Sequence, residues 1–289
     1  MTVPTWFADA LATPYDTAEV HSDGAAICYL DAGPRDAPPL VFVHGGTAHA
    51  HWWWPVSARF AATHRLILPD LSGHGTSDRR EHYSFDGWAD ELATVSAAAL
   101  EGTPAVFVGH SIGGLACMAL GAEHPSLVSA VVACDTLLRA PDTAPSLPVS
   151  RPPTPGKPIP SFASVAEARG RFRTIPAQSD CAGYVLDHVV PHSLRAEGGR
   201  WVWSFDRRIL SQFDDDVAHL AWPWLRRLRC PVGYLRSEHG LVEAEVVARL
   251  VDELTVPVHL GEVAGAGHHA MLDRPDELFT ALGDLLGRL

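Results

Sequence analysis

The sequence has no run of about 18 apolar residues, no C-x-x-C pair and no dense block of Lys or Arg, and each absence removes a class of protein. Without the apolar run there is no candidate membrane-spanning helix. Without the basic block nothing can track a phosphate backbone: 34 Asp and Glu stand against 22 Lys and Arg, a formal charge of −12, so nucleic acid is not an expected partner and the charge reads as solubility. The five cysteines (Cys28, Cys117, Cys134, Cys181, Cys230) are odd in number, widely spaced and mostly flanked by apolar residues, which reads as reduced core thiols. The opening "MTVPTWFADALATPY" lacks both a basic start and an apolar h-region. A cytoplasmic protein, monomer or homodimer, acting on a small molecule and making no membrane contact, is the expectation.

What is present is material for a core: 289 residues, 47% of them hydrophobic, with 24 glycines. Short apolar runs bounded by turn residues alternate with helix-period segments, the pattern of an α/β protein whose mainly parallel sheet is covered by helices on both faces. Strands are expected at 26–31, 40–43, 65–69, 104–108, 128–134, 231–235 and 256–262, with 18–22 as an edge strand. Helices are expected at 85–100, 112–123, 243–254 and 275–287, the last opening on Pro275 and two acids. Between Cys134 and Pro231 the alternation stops. Residues 141–160 are too rich in proline for a helix or central strand and read as a stiff, extended entry to an inserted helical lid. The expected division is therefore a core of 1–136 and 226–289 with a lid of 137–225.

Residues 107–115, "FVGHSIGGL", set Gly109-His110-Ser111-Ile112-Gly113 between a strand and a helix, the context a G-x-S-x-G nucleophile elbow requires. Its glycines allow close backbone approach, and Ser111 would stand at a helix N-terminus, where negative charge is favoured. Upstream, "HGGT" at 44–47 ends another strand; the N–H groups of Gly46 and Ile112 could together form an oxyanion hole. Taken alone that stretch is an ordinary glycine turn. Near the C-terminus "GAGHHAMLDRP" offers His268 directly after Gly267, with His269 as a wall residue. Among 16 histidines, His268 is singled out by chain order: nucleophile, acid, histidine.

Through "HGG" at 44–46, "DLSGHGTSD" at 70–78, "GHSIGG" at 109–114 and "AGAGHHAMLDRP" at 264–275, the chain resembles the α/β-hydrolase superfamily, in its lidded, esterase-like branch. The resemblance implies an eight-stranded, mostly parallel sheet with an inserted lid, and a Ser-His-acid triad working without cofactor or metal. It also implies that Asp70, Gly73 and Gly75 shape a structural loop in which His74 has no catalytic role. In the commonest family pattern the acid ends a G-x-x-D turn after the strand that follows the lid. Here Ser237-Glu238-His239-Gly240 has no side chain at that place. Some members carry the acid at the end of the strand after the nucleophile helix, where this chain has Asp135. Asp135 is the preferred assignment and Glu238 the alternative.

Aromatic residues cluster near the expected pocket: Trp52 and Trp53 within "HWWW", and Trp201 and Trp203 within "GRWVWSFDRRI", with His110 and His269 beside them. Taken singly, each tryptophan is more simply core; as a group they suit an apolar substrate. His51, Asp206 and Arg207 are possible polar anchors that nothing ranks. Three readings follow. The first is a serine hydrolase of small or medium esters or lactones, with C–C bond hydrolase, thioesterase or cyclase, and perhydrolase as alternatives on the same triad. The second is a ligand receptor that keeps the fold. The third, partner binding through the proline-rich segment, has little support, because the run reads more simply as a lid linker.

Overall fold

The computed structural model describes residues 3–139, 160–212 and 217–289. Its centre is an eight-stranded sheet: β1 (Asp16–Ser22), β2 (Ala25–Ala32), β3 (Pro39–Val43), β4 (Arg65–Pro69), β5 (Ala105–His110), β6 (Val128–Cys134), β10 (Val232–His239) and β11 (Val258–Gly267), ordered β1-β2-β4-β3-β5-β6-β10-β11. β1–β2 and β2–β4 pair antiparallel, and every other neighbour is parallel. The central strands are apolar along their whole length because both faces are covered. In β3, Val41 and Val43 enter one core cluster while Leu40 and Phe42 enter the other, as alternation of side chains across a sheet requires.

One face carries α3 (Phe85–Leu100), α4 (Ile112–Glu123) and α9 (Ala244–Glu253); the other carries α1 (Thr5–Ala12), α2 (Ala50–Ser57), α10 (Ala270–Asp273) and α11 (Pro275–Leu286). Ser84 starts α3 by accepting the Gly87 N–H at 3.0 Å. In α4 every residue from Gly113 to Gly121 is buried, so this helix is held by packing on all sides and not by an amphipathic stripe.

The segment between β6 and β10 is mixed, where a helical one was expected. It contains β7 (Ser161–Phe162), α5 (Val165–Arg171), α6 (Gly183–His192), β8 (Leu194–Glu197), β9 (Arg200–Trp203), α7 (Ile209–Gln212) and α8 (Val217–Leu225), and its strands form a small antiparallel sheet ordered β7-β9-β8. The reason is local: Gly198 and Gly199 take positive φ of 56° and 75° between the paired residues Glu197 and Arg200. Two such residues in succession are what a two-residue hairpin turn with the right twist needs. The proline-rich run 141–160 lies, except for Pro160, outside the described residues.

Several bonds seat this insertion on the sheet domain. Ala182 N–H donates to Leu272 O at 2.7 Å, Asp206 N–H to Gly73 O at 2.7 Å, and the Tyr83 hydroxyl to Asp206 Oδ2 at 2.9 Å. Burial, with the Asp206 bond adding to it, pushes the Tyr83 phenol up to about 12. No helix among the described residues is long and apolar enough to cross a membrane.

Candidate active site

Five adjacent parallel strands deliver the singled-out groups at their carboxyl ends, in sheet order: the His44–Gly46 loop after β3, Ser111 after β5, Asp135 after β6, Gly240 after β10 and His268 after β11. That edge is where open α/β sheets bind ligands. Five non-glycine residues among those described have positive φ, and three of them lie here: Thr47 at 62°, Ser111 at 54° and Asp135 at 41°. Each such conformation costs roughly 1–3 kcal/mol and persists only where surrounding structure enforces it.

The enforcement at Ser111 is visible. Its N–H donates to Cys134 O at 3.1 Å, tying the elbow to the end of β6, and its own carbonyl accepts the Gly114 N–H at 3.0 Å. The glycines answer to space. A Cβ on Gly109 would lie 2.5 Å from Gly113 O, and one on Gly113 would lie 2.6 Å from Val43 O. Ser111 is therefore lifted, half-buried, at the N-terminus of α4. The side-chain direction of Gly46 faces Ile112, whose Cδ1 lies 3.4 Å from where a Cβ would stand, so both residues border one crevice. No acceptor among the described residues takes either amide N–H. Ile112 is the first residue of its helix, where an unused N–H is expected.

Asp135 and His268 form a buried pair, 1% and 4% exposed, with His268 Nδ1 and Asp135 Oδ2 at 2.7 Å. The carboxylate also accepts the Ser237 N–H at 3.3 Å, from the end of β10, and the Leu241 N–H at 2.9 Å, from the turn that follows it. Gly240 sits inside that turn, and a Cβ there would stand 2.5 Å from Asp135 Cγ. The bare position in Ser237-Glu238-His239-Gly240 is thus filled from the neighbouring strand: the Asp135 carboxylate occupies the place a side chain at 240 would take. Glu238 points elsewhere. It is exposed and accepts the Gly265 N–H at 2.7 Å.

Ser111 and His268 share no hydrogen bond in this structure. Such bonds are commonly long without a ligand. The His268 backbone is fixed from below by His110, whose Nε2–H donates to His268 O at 2.8 Å, with the rings 4.7 Å apart. Burial, reinforced by the neighbouring imidazoles of His268 and His269, holds His110 well below the ordinary histidine range and keeps it neutral. Burial likewise, with His268 adding to it, brings His269 down to about 3. Residues that sequence reasoning missed complete the cradle: Gln178 Oε1 accepts the His269 N–H at 3.0 Å, and Asp273 Oδ2 accepts the Gly267 N–H at 2.8 Å. His44 Nε2 accepts the Leu71 N–H at 3.0 Å while its Nδ1–H donates to Gly45 O at 2.8 Å, locking the glycine loop to the next strand's end.

In that next loop Asp70 accepts the N–H groups of Ala50 at 2.7 Å and Thr76 at 2.8 Å, and Gly75, at φ 51°, leaves room for its carboxylate. His74 is fully buried, its Nδ1 3.2 Å from Ser72 O.

The aromatic candidates divide. Trp52 packs 5.5 Å from His269 and 5.9 Å from Phe172, which lies 5.9 Å from Trp203, so a ring series leads from the site into the insertion. Trp201 and Trp203 are half-buried on one face of β9, against Phe162 and Val190. Trp53 is not gathered at the site. It is fully buried, lies tilted against the Phe42 ring at 5.3 Å and donates to Val43 O at 3.0 Å, which makes it a core residue. Asp206 is held by Tyr83 and Arg208, and Arg207 lies half-buried in the same turn.

A second serine–histidine contact exists: His49 Nε2 and Ser193 Oγ are 2.8 Å apart. Ser193 Oγ already donates its proton to Val189 O at 3.0 Å, so His49 must be the donor in this bond and cannot act as base toward that serine. No carboxylate backs His49, since its Nδ1 has no partner among the described residues. This pair fastens the insertion to the core.

Comparison with known proteins agrees with the fold. Residues 38–157 match the model of the alpha/beta hydrolase fold family. An esterase of Mycobacterium tuberculosis is 29% identical over 259 residues, covering 86% of this chain and 83% of that protein. A crystal structure of that esterase superposes with a TM-score of 0.72 at 26% identity, covering 99% of both chains. The structure of an E-2-(acetamidomethylene)succinate hydrolase superposes with a TM-score of 0.74 at 22% identity, covering 95% of this chain and all of that one.

Proposed function

The chain belongs to the α/β-hydrolase superfamily, and from that premise we propose that it is a serine hydrolase cleaving a small or medium, largely apolar carboxylic ester or lactone. The observation that carries this reading is the buried Asp135–His268 hydrogen bond at the strand edge that also presents Ser111. Ser111 Oγ attacks the substrate carbonyl while His268 Nε2 takes its proton. Asp135 keeps the remaining proton on Nδ1, which leaves Nε2 as the base and stabilises the imidazolium once it forms. The Gly46 and Ile112 N–H groups receive the oxyanion, aided by the N-terminal end of the α4 dipole. Collapse expels the alcohol, protonated by His268, and leaves an acyl group on Ser111. Water, deprotonated by His268, then releases the acid and regenerates the serine.

The ring series Trp52, Phe172 and Trp203 supports an apolar acyl or ring group beneath the insertion, which serves as a lid. The similarity to an esterase supports ester over other acyl substrates. A panel of p-nitrophenyl esters, a lactone, a thioester and a 1,5-diketone tests the reading, using wild type and Ser111→Ala. Ester or lactone turnover that vanishes in Ser111→Ala is expected. Turnover of the diketone or thioester alone would reassign the chemistry.

A further inference from the structure

Where α2 of the sheet domain meets the insertion's α6, three histidines converge without a carboxylate among them. His51 comes from the first turn of α2, and His188 and His192 stand four residues apart on α6. One ring nitrogen of each lies within 4.8 Å of the others. The His51 and His192 rings stack at 3.7 Å, and His188 lies 4.8 Å from His192.

Two donors are unused: His51 Nδ1 and His188 Nε2 are buried and lack a hydrogen-bond partner among the described residues. A third is oriented, because His192 Nδ1–H donates to His188 O at 2.9 Å and leaves Nε2 with its lone pair outward. A backbone carbonyl fixing the far nitrogen of an imidazole is the usual outer-shell support of a metal ligand. Two histidines at i and i+4 also share one helix face, the spacing that lets both reach one ion. A cavity of about 540 Å³ bordered by Glu19, Tyr29, His49, His51 and His192 gives access from solvent.

We propose that His51, His188 and His192 bind one divalent transition-metal ion of the zinc class, with water in the fourth position, and that the ion clips the insertion's α6 to α2 of the sheet domain. Three neutral imidazoles and a water suit a tetrahedral zinc site. The stacked pair must tilt apart on binding so that the lone pairs meet. Because α2 also carries Trp52 and follows the His44–Gly46 loop, the clip would brace the wall of the crevice without supplying a reacting group. The inference is independent of the proposed hydrolysis.

Zinc chloride titrated calorimetrically into the metal-stripped full chain is expected to bind one ion per chain and raise Tm. His192→Gln, an exposed position where folding is not at risk, is expected to weaken binding by at least about 10–100-fold, the loss typical of even an outer-shell change. His188→Gln repeats the test from the second helical ligand, and Co²⁺ should show the visible absorption of a tetrahedral site in wild type only. Absence of zinc binding overturns the proposal. So does binding that His192→Gln and His188→Gln leave intact, which would place the ion at the other imidazole cluster, His110, His268 and His269.

Discussion

Gly240→Ala is the substitution that most sharply probes how the acid is placed. Its added Cβ would stand 2.5 Å from Asp135 Cγ, whereas carbon atoms in contact prefer about 3.5 Å or more, so the carboxylate must retreat by roughly 1 Å. A shift of that size would stretch the 2.7 Å contact to His268 Nδ1 and the 2.9 Å bond from Leu241 N–H beyond hydrogen-bonding range. Gly240 does not use positive φ, so the backbone itself accepts alanine and the whole effect falls on Asp135. Misplacement of about 1 Å in a catalytic group costs about 10²-fold, and loss of the acid's function about 10⁴-fold. The expected outcome is a fall of about 10²-fold in kcat/KM for p-nitrophenyl butyrate, with overpacking lowering stability by about 1–3 kcal/mol. In an Asp135→Asn background the same change should add little, because both act on one contact. Wild-type turnover in folded Gly240→Ala, or full additivity with Asp135→Asn, would refute the reasoning.

Asp135→Asn alone should lower kcat by about 10⁴-fold with thermal stability largely kept, measured by steady-state kinetics beside a melting curve. Glu238→Gln should stay within a few-fold of wild type, since the side chain only caps Gly265; a collapse would move the acid to Glu238. Trp53→Ala should cost about 3–5 kcal/mol in denaturant unfolding, as a core truncation does. The buried histidines set a pH dependence. His49, His51, His110, His188 and His269 are all held below the ordinary histidine value by burial, so below about pH 6.5 the unfolded chain takes up protons that the folded chain refuses. Their contribution is complete above that pH and is lost as pH falls, so Tm should drop steadily from pH 7 to 5; a flat or rising Tm would contradict the burial described.

Much of this was legible in the chain. The helices at 85–100 and 112–123 have the bounds that their period and flanking turns predict, and the strand at 128–134 coincides with β6. The ends of β3 and β4 were readable because their apolar runs stop abruptly at polar residues, whereas β5, β10 and β11 run on to His110, His239 and Gly267, past the expected ends at 108, 235 and 262. Other parts were obscured by local chemistry that points two ways. Pro55 and Pro191 read as helix breakers, yet each lies inside a short helix, α2 and α6. The second hid the spacing of His188 and His192. The Gly198–Gly199 turn was a hairpin signal in the sequence, overlooked beside the helix-like pieces around it. "HWWW" could not be divided by composition: only packing separates Trp52, beside His269, from Trp53 in the core. Gly240 was visible as a missing side chain, but that it makes room for Asp135 depends on β6 and β10 being neighbours, which no local signal reports.

The most direct test is covalent. An alkyl fluorophosphonate forms a phosphorus–oxygen bond with an activated serine and expels fluoride, whatever the natural substrate. Mass spectrometry of the labelled chain should find one adduct, on Ser111, formed far more slowly in Asp135→Asn and at the wild-type rate in Glu238→Gln. Labelling of Ser193, or equal labelling of Ser111 in wild type and Asp135→Asn, would contradict the account.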